Sequence, residues 1–78
     1  MKNTIKDFTH EDGNSYRVTV TPTDDVEEAK ATLQLLQLGR PAHVASGTWD
    51  GYVFDTEDKV DPYLLSETLV ILSLMDEK

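Results

Sequence analysis

The 78-residue sequence predicts an α+β fold, with two consecutive ββα units forming a four-stranded, mostly antiparallel sheet that carries two helices on one face. Three observations lead there. Residues 16–21 alternate apolar and polar side chains at period two. Two later stretches place apolar residues at helical spacing behind acidic caps. Two turns built on Asp12-Gly13-Asn14 and Asp50-Gly51 stand where strands would reverse. Helices laid on one face of a sheet are the two-layer arrangement that such an order supports. At this length area scaling allows about 8,000 Å² to be buried on folding, enough for one domain spanning 1–78 and no more.

Taken in order, residues 4–9 read as a first strand whose Ile5 and Phe8 do not alternate cleanly, so a bulge or slipped register is expected there. Asp12, Gly13 and Asn14 tolerate the positive φ of a tight turn. Tyr16, Val18 and Val20 then alternate with Arg17, Thr19 and Thr21, the signature of a strand buried on one face. A helix is expected over 25–38. Thr23 or Asp24 would cap it, acids fill its first turn against the positive end of the dipole, and Val26, Ala29, Leu33 and Leu36 step down one side. Gly39 and Pro41 would end it.

The second half opens on a strand near 42–45 and continues into Thr48 and Trp49, a turn at Asp50-Gly51, and a strand through Val53 and Phe54. Ser46-Gly47 is a competing turn or bulge site. Trp49 and Tyr52 bracket the turn as a cross-strand aromatic pair. Asp61 before Pro62 starts a second helix, from about 62 to 75. At a shift of 36 residues Tyr16 meets Tyr52, Asp25 meets Asp61, Leu33 meets Leu69 and Leu36 meets Leu72, a pattern suggesting an internal pseudo-repeat, 1–39 and 40–78.

Composition narrows function by exclusion. With 38% hydrophobic and 28% charged residues the chain falls within globular usage and should fold. It has no cysteine, which removes thiolate zinc sites, thiol catalysis and disulfides. No apolar stretch follows Met1 in the manner of a secretory signal, and the apolar block 64–75 is too short to cross a bilayer, so a cytoplasmic location is expected. The formal net charge is −8, and the seven Lys and Arg are scattered singly. Direct nucleic-acid binding and attachment to an anionic membrane are both disfavoured, while a basic protein is a favoured partner.

No catalytic or cofactor-binding motif is present. His10 and His43 lack the spaced companions of a metal site, and His43 reads as an ordinary strand residue. The run from Asp55 begins like a calcium loop. It then fails, with Lys59 at the fifth place, Val60 at the turn glycine and Ser66 where a bidentate glutamate belongs. No enzyme activity and no cofactor are therefore expected.

Two features remain. Asp24, Asp25, Glu27 and Glu28 stand at the start of the first expected helix, and Asp55, Glu57, Asp58 and Asp61 at the start of the second. Helix starts favour acids by about 0.3–1 kcal/mol each, yet so many like charges repel one another, which leaves a surplus for function. The expectation is a partner-binding surface of nucleic-acid-mimic type, that of a small phage or mobile-element antagonist facing a basic, nucleic-acid-handling host protein. The other feature is the breadth of the apolar surface on the last helix. Leu64, Val70, Ile71 and Leu74 widen it beyond one face, and the alternative expectation is an assembly subunit that forms a homodimer through them.

Overall fold

Alternation puts Tyr16, Val18 and Val20 on one face of a strand, and every neighbouring strand matches that face. The computed structural model describes residues 3–25, 27–38 and 40–75. Within them lie strands β1 (Thr4–Thr9), β2 (Ser15–Pro22), β3 (Ala29–Gln37), β4 (Arg40–Trp49) and β5 (Phe54–Thr56), followed by helix α1 (Pro62–Met75). Each strand pairs antiparallel with the next, giving a five-stranded meander in the order β1-β2-β3-β4-β5. The α+β class holds. The four strands with two helices, and with them the ββα order repeated twice, do not, because the first expected helix is strand β3.

The reason lies in residues that serve two periods at once. Ala29, Leu33 and Leu36 fall on one side of a helix, but Ala29, Ala31, Leu33 and Leu35 also alternate with Lys30, Thr32 and Gln34. Only the strand aligns Leu35 with the rest. Between β2 and β4 it completes ladders on both edges, matching Val18 to Leu33 and Leu33 to Ala45, and leaves Leu33 wholly buried. Tertiary pairing outweighs helix propensity here. Pro41, read as a helix stop, pairs with Leu36 on a part of β4 that β5 does not reach, where a missing N–H costs no ladder bond on that side. Val26 and Gly39, also part of the helix reading, lie outside the described residues.

Registers differ from expectation in two further places. β1 pairs with β2 without interruption from Thr4↔Val20 to Thr9↔Ser15, so the bulge expected in β1 is not there, and Ile5 simply faces the other side. The irregularity lies in β4 instead: Leu33 pairs with Ala45 but Gln34 with His43, so Val44 is the extra residue. The first turn is as expected. The His10 N–H donates to the Asn14 carbonyl at 2.9 Å, the Gly13 N–H to the His10 carbonyl at 3.0 Å, and Gly13 takes φ 86°.

Helix α1 starts where Asp61 and Pro62 place it. The Asp61 carboxylate accepts the N–H groups of Tyr63 at 3.1 Å and Leu64 at 3.2 Å. Leu64, Thr68, Ile71 and Leu72 face the sheet and complete a core with Tyr16, Val18, Ala31, Leu33, Ala45, Trp49 and Phe54. Thr68 sits within this core because its hydroxyl donates to the Leu64 carbonyl at 2.8 Å. Among the described residues α1 is the one helix, so no described helix covers the other sheet face, which carries rows of polar residues such as Thr19, Thr32 and Ser46. Among the described residues no helix is long and apolar enough to cross a membrane.

Candidate functional site

The sheet register decides which acids meet. Pro22, Ala29, Trp49 and Phe54 form one row across β2, β3, β4 and β5. The loop joining β2 to β3 therefore lies beside the loop joining β4 to β5, and the two border a cleft of about 860 Å³. Asp25, Glu27, Glu28 and Asp50 stand at its rim, and Val20, Pro22, Ala29, Trp49 and Met75 supply apolar walls. Asp50 belongs to this group although its sequence context, Asp50-Gly51, reads only as a turn.

Both loops are held by their own polar side chains. In the first, expected as a helix start, the Asp25 carboxylate accepts the Glu27 N–H at 2.9 Å and the Thr23 hydroxyl donates to the Glu28 carbonyl at 2.9 Å. In the second, the Asp50 carboxylate accepts the N–H groups of Tyr52 and Val53, each at 2.8 Å, while Gly51 takes φ 100°, the positive value expected of it. The N–H of Val53, then that of Tyr52, holds the Asp50 carboxyl below its ordinary range against the opposing effect of desolvation. Asp50 is thus firmly ionised at neutral pH.

Trp49 and Tyr52 are not the cross-strand pair expected. Trp49 pairs with Phe54 and is only 4% exposed, while Tyr52 lies in the loop at 88%. The indole N–H of Trp49 is buried and, among the described residues, has no acceptor. An orphaned donor of this kind costs about 1–3 kcal/mol.

The second acidic group divides into separate tasks. Asp61 caps α1. Asp58 accepts the Ser46 N–H at 2.9 Å, extending the β4 edge beyond β5, and lies 3.5 Å from the His43 imidazole. The Ser46 N–H is the first reason that the Asp58 carboxyl lies below its ordinary range. Asp55 and Glu57 are exposed. Asp61 lies near Tyr16, whereas the cleft adjoins Pro22 at the other end of β2, about 20 Å away along the strand. The structure thus brings Asp25, Glu27 and Glu28 together with Asp50, and sets Asp61 apart from them.

Among the residues expected to form an assembly face, Leu64 and Ile71 are buried against the sheet and leave that face. Val70 and Leu74 remain outward at 58% and 50% exposure, joined by exposed Tyr63 along one line of α1.

Sequence reasoning missed a contact at the opposite end from the cleft. The buried His10 imidazole meets the Glu67 carboxylate at 2.5 Å, Nδ1 to Oε1, and sets its edge toward the Tyr16 ring. The Tyr16 hydroxyl donates to Asp12 at 2.8 Å. Ser66 and Tyr63 line the same shallow hollow, but among the described residues no hydrogen bond joins Ser66 to His10. Also among the described residues, no group of three or more His, Asp or Glu side chains is placed to hold a metal ion. Compared with protein-family models, with curated proteins and with solved structures, the chain matches none.

Proposed function

We propose that this chain is a non-enzymatic binding protein that presents acidic surface to a basic protein partner, in the manner of a small antagonist occupying a nucleic-acid-binding site. The observation that carries this reading is the set of carboxylates without cations. Among the described residues the ion pairs are Arg17 with Asp7, His10 with Glu67 and His43 with Asp58. Asp24, Asp25, Glu27, Glu28 and Asp50 enter none of them, in a chain of net charge −8. Acids needed only to start helices would stand at helix starts, and the first group has no helix to start. Their concentration on one loop is left to a partner of opposite charge, whose approach such a field would accelerate.

The test is retention of host proteins on the immobilised chain, eluted either by salt or by duplex DNA. Nucleic-acid-binding proteins released by both are the expected result, since the partner would exchange carboxylates for phosphates. Retention indifferent to both would sink the reading.

A second reading, assembly through α1, is favoured by Tyr63, Val70 and Leu74 standing exposed in line. It requires a dimer in sedimentation that Val70→Glu converts to monomer.

A further inference from the structure

We infer that strand β1 and the neighbouring flank of α1 form one docking surface, and that its occupant is a second copy of this chain, joined about a two-fold axis through Phe8. The two sheets would continue into one across β1, with the two helices side by side over the seam. This goes beyond the acid-presenting reading, which it neither needs nor opposes. It rests on the second reading, assembly through α1, and adds to it the strand, the axis and the register.

Two independent observations meet on this side of the molecule. The first is an open strand edge, since among the described residues β1 pairs only with β2. The His10 N–H donates to the Asn14 carbonyl, so by alternation Phe8, Lys6 and Thr4 also bond toward β2, while Ile5, Asp7 and Thr9 turn their N–H and C=O groups outward. The second is a line on α1 made of Tyr63, Glu67, Val70 and Leu74, of which Tyr63, Val70 and Leu74 are exposed. Glu67 bonds His10, which sets this line over the β1 side of the sheet. An open edge and an exposed apolar line that share one side are covered together by one partner.

Symmetry and charge select that partner. A two-fold axis perpendicular to the sheet keeps both helices on the same face. Helix α1 comes closest to β1 and β2, so two copies joined at β1 hold their helices about two strand spacings apart, roughly 10 Å, the distance of packed helices. An axis through Lys6 or Asp7 would oppose like charges, and one through Ile5 would leave the Tyr63 end of the helical line unmatched. An axis through Phe8 sets the two Phe8 rings together and extends the stack that Phe8 already makes with Tyr16, at 5.7 Å between ring centroids. Asp7 then exchanges backbone hydrogen bonds with Thr9 of the second copy, and the symmetry repeats the exchange. Lys6 is exposed on the helix side of β1, opposite Val18, and comes to face His10 of the second copy. There Glu11 and Glu67 border a hollow of about 480 Å³, an acidic seat for the lysine. Strand and helix are each about 20 Å long, and a strip of that length two layers deep suits the roughly 600–1,000 Å² that each copy buries in a specific dimer.

The experiment is sedimentation equilibrium of the intact chain from about 5 to 200 μM, at about 150 mM salt so that its net charge is screened. A dimer is expected. Lys6→Glu should weaken it about five- to thirtyfold, because the axis makes each change count twice, and adding Glu11→Lys should restore it. Thr9→Pro removes an N–H that points outward, so the folded chain loses no ladder bond and its circular dichroism should be unchanged while the dimer is abolished. The chain has no cysteine, so Phe8→Cys should oxidise to a covalent dimer through one bond at the axis, whereas Lys6→Cys should not. If Thr9→Pro or Phe8→Cys does not fold, Lys6→Glu and its rescue by Glu11→Lys still decide.

A dimer broken by Val70→Glu but indifferent to Thr9→Pro and Lys6→Glu would overturn the strand-paired seam and leave assembly through α1 standing. A monomer over the whole concentration range would end both.

Discussion

His10 meets Glu67 across 57 positions of chain, and the contact fastens the first hairpin to the middle of α1. Its imidazole pKa lies above the ordinary value of about 6.5, first because Glu67 bonds Nδ1; the fields of Asp12 and Glu11 add to this while burial opposes it. The folded state therefore favours the protonated ring. Its contribution to stability is complete below about pH 6.5 and is lost as pH rises through the higher folded value. Between about pH 6 and pH 8.5 the melting temperature of the natural chain should fall further than that of His10→Gln. Parallel curves would show that the pair adds nothing. None of this is legible in sequence, where His10 is one polar residue in a turn and Glu67 one polar position on a helix.

At the level of elements, the meander depends on how closely β5 approaches β4. A Cβ built on Gly47 would lie 1.9 Å from the Asp55 carbonyl oxygen, a backbone atom that cannot turn aside. The glycine seen in sequence as a turn or bulge site is instead a point of close backbone contact, and the Thr56 hydroxyl closes it by donating to the Ser46 carbonyl at 2.7 Å. Gly47→Ala should cost about 1–3 kcal/mol in urea unfolding by forcing β5 away. Stability equal to the natural chain would mean that β5 is not held there. The β1–β2 hairpin and α1 were readable in advance because their signals are local: a positive-φ turn in one, an acid before a proline in the other. β3 was not, since its apolar residues satisfy both periods and only its neighbours choose between them.

Over the whole molecule, fifteen acids against seven Lys and Arg make folding an act of gathering like charge. Screening should relieve it. Raising sodium chloride from about 10 to 300 mM shortens the Debye length from about 30 to under 10 Å, and the melting temperature should rise by roughly 3–6 °C. A fall would mean that exposed pairs such as Arg17 with Asp7 outweigh the repulsion.

The sequence by itself determined the net charge, the α+β class, the first hairpin, the capped last helix and the acids from which a site could be made, all properties of composition or of residues a few positions apart. Tertiary structure alone decided that 29–37 is a strand, that Leu64 and Ile71 are core, and that His10 belongs to α1. It also decided that Asp50 and Trp49 join Asp25, Glu27 and Glu28 at one cleft. Register is the physical reason: pairing Ala29 with Trp49 sets two loops about twenty residues apart in sequence side by side, and no local pattern in either loop encodes that pairing.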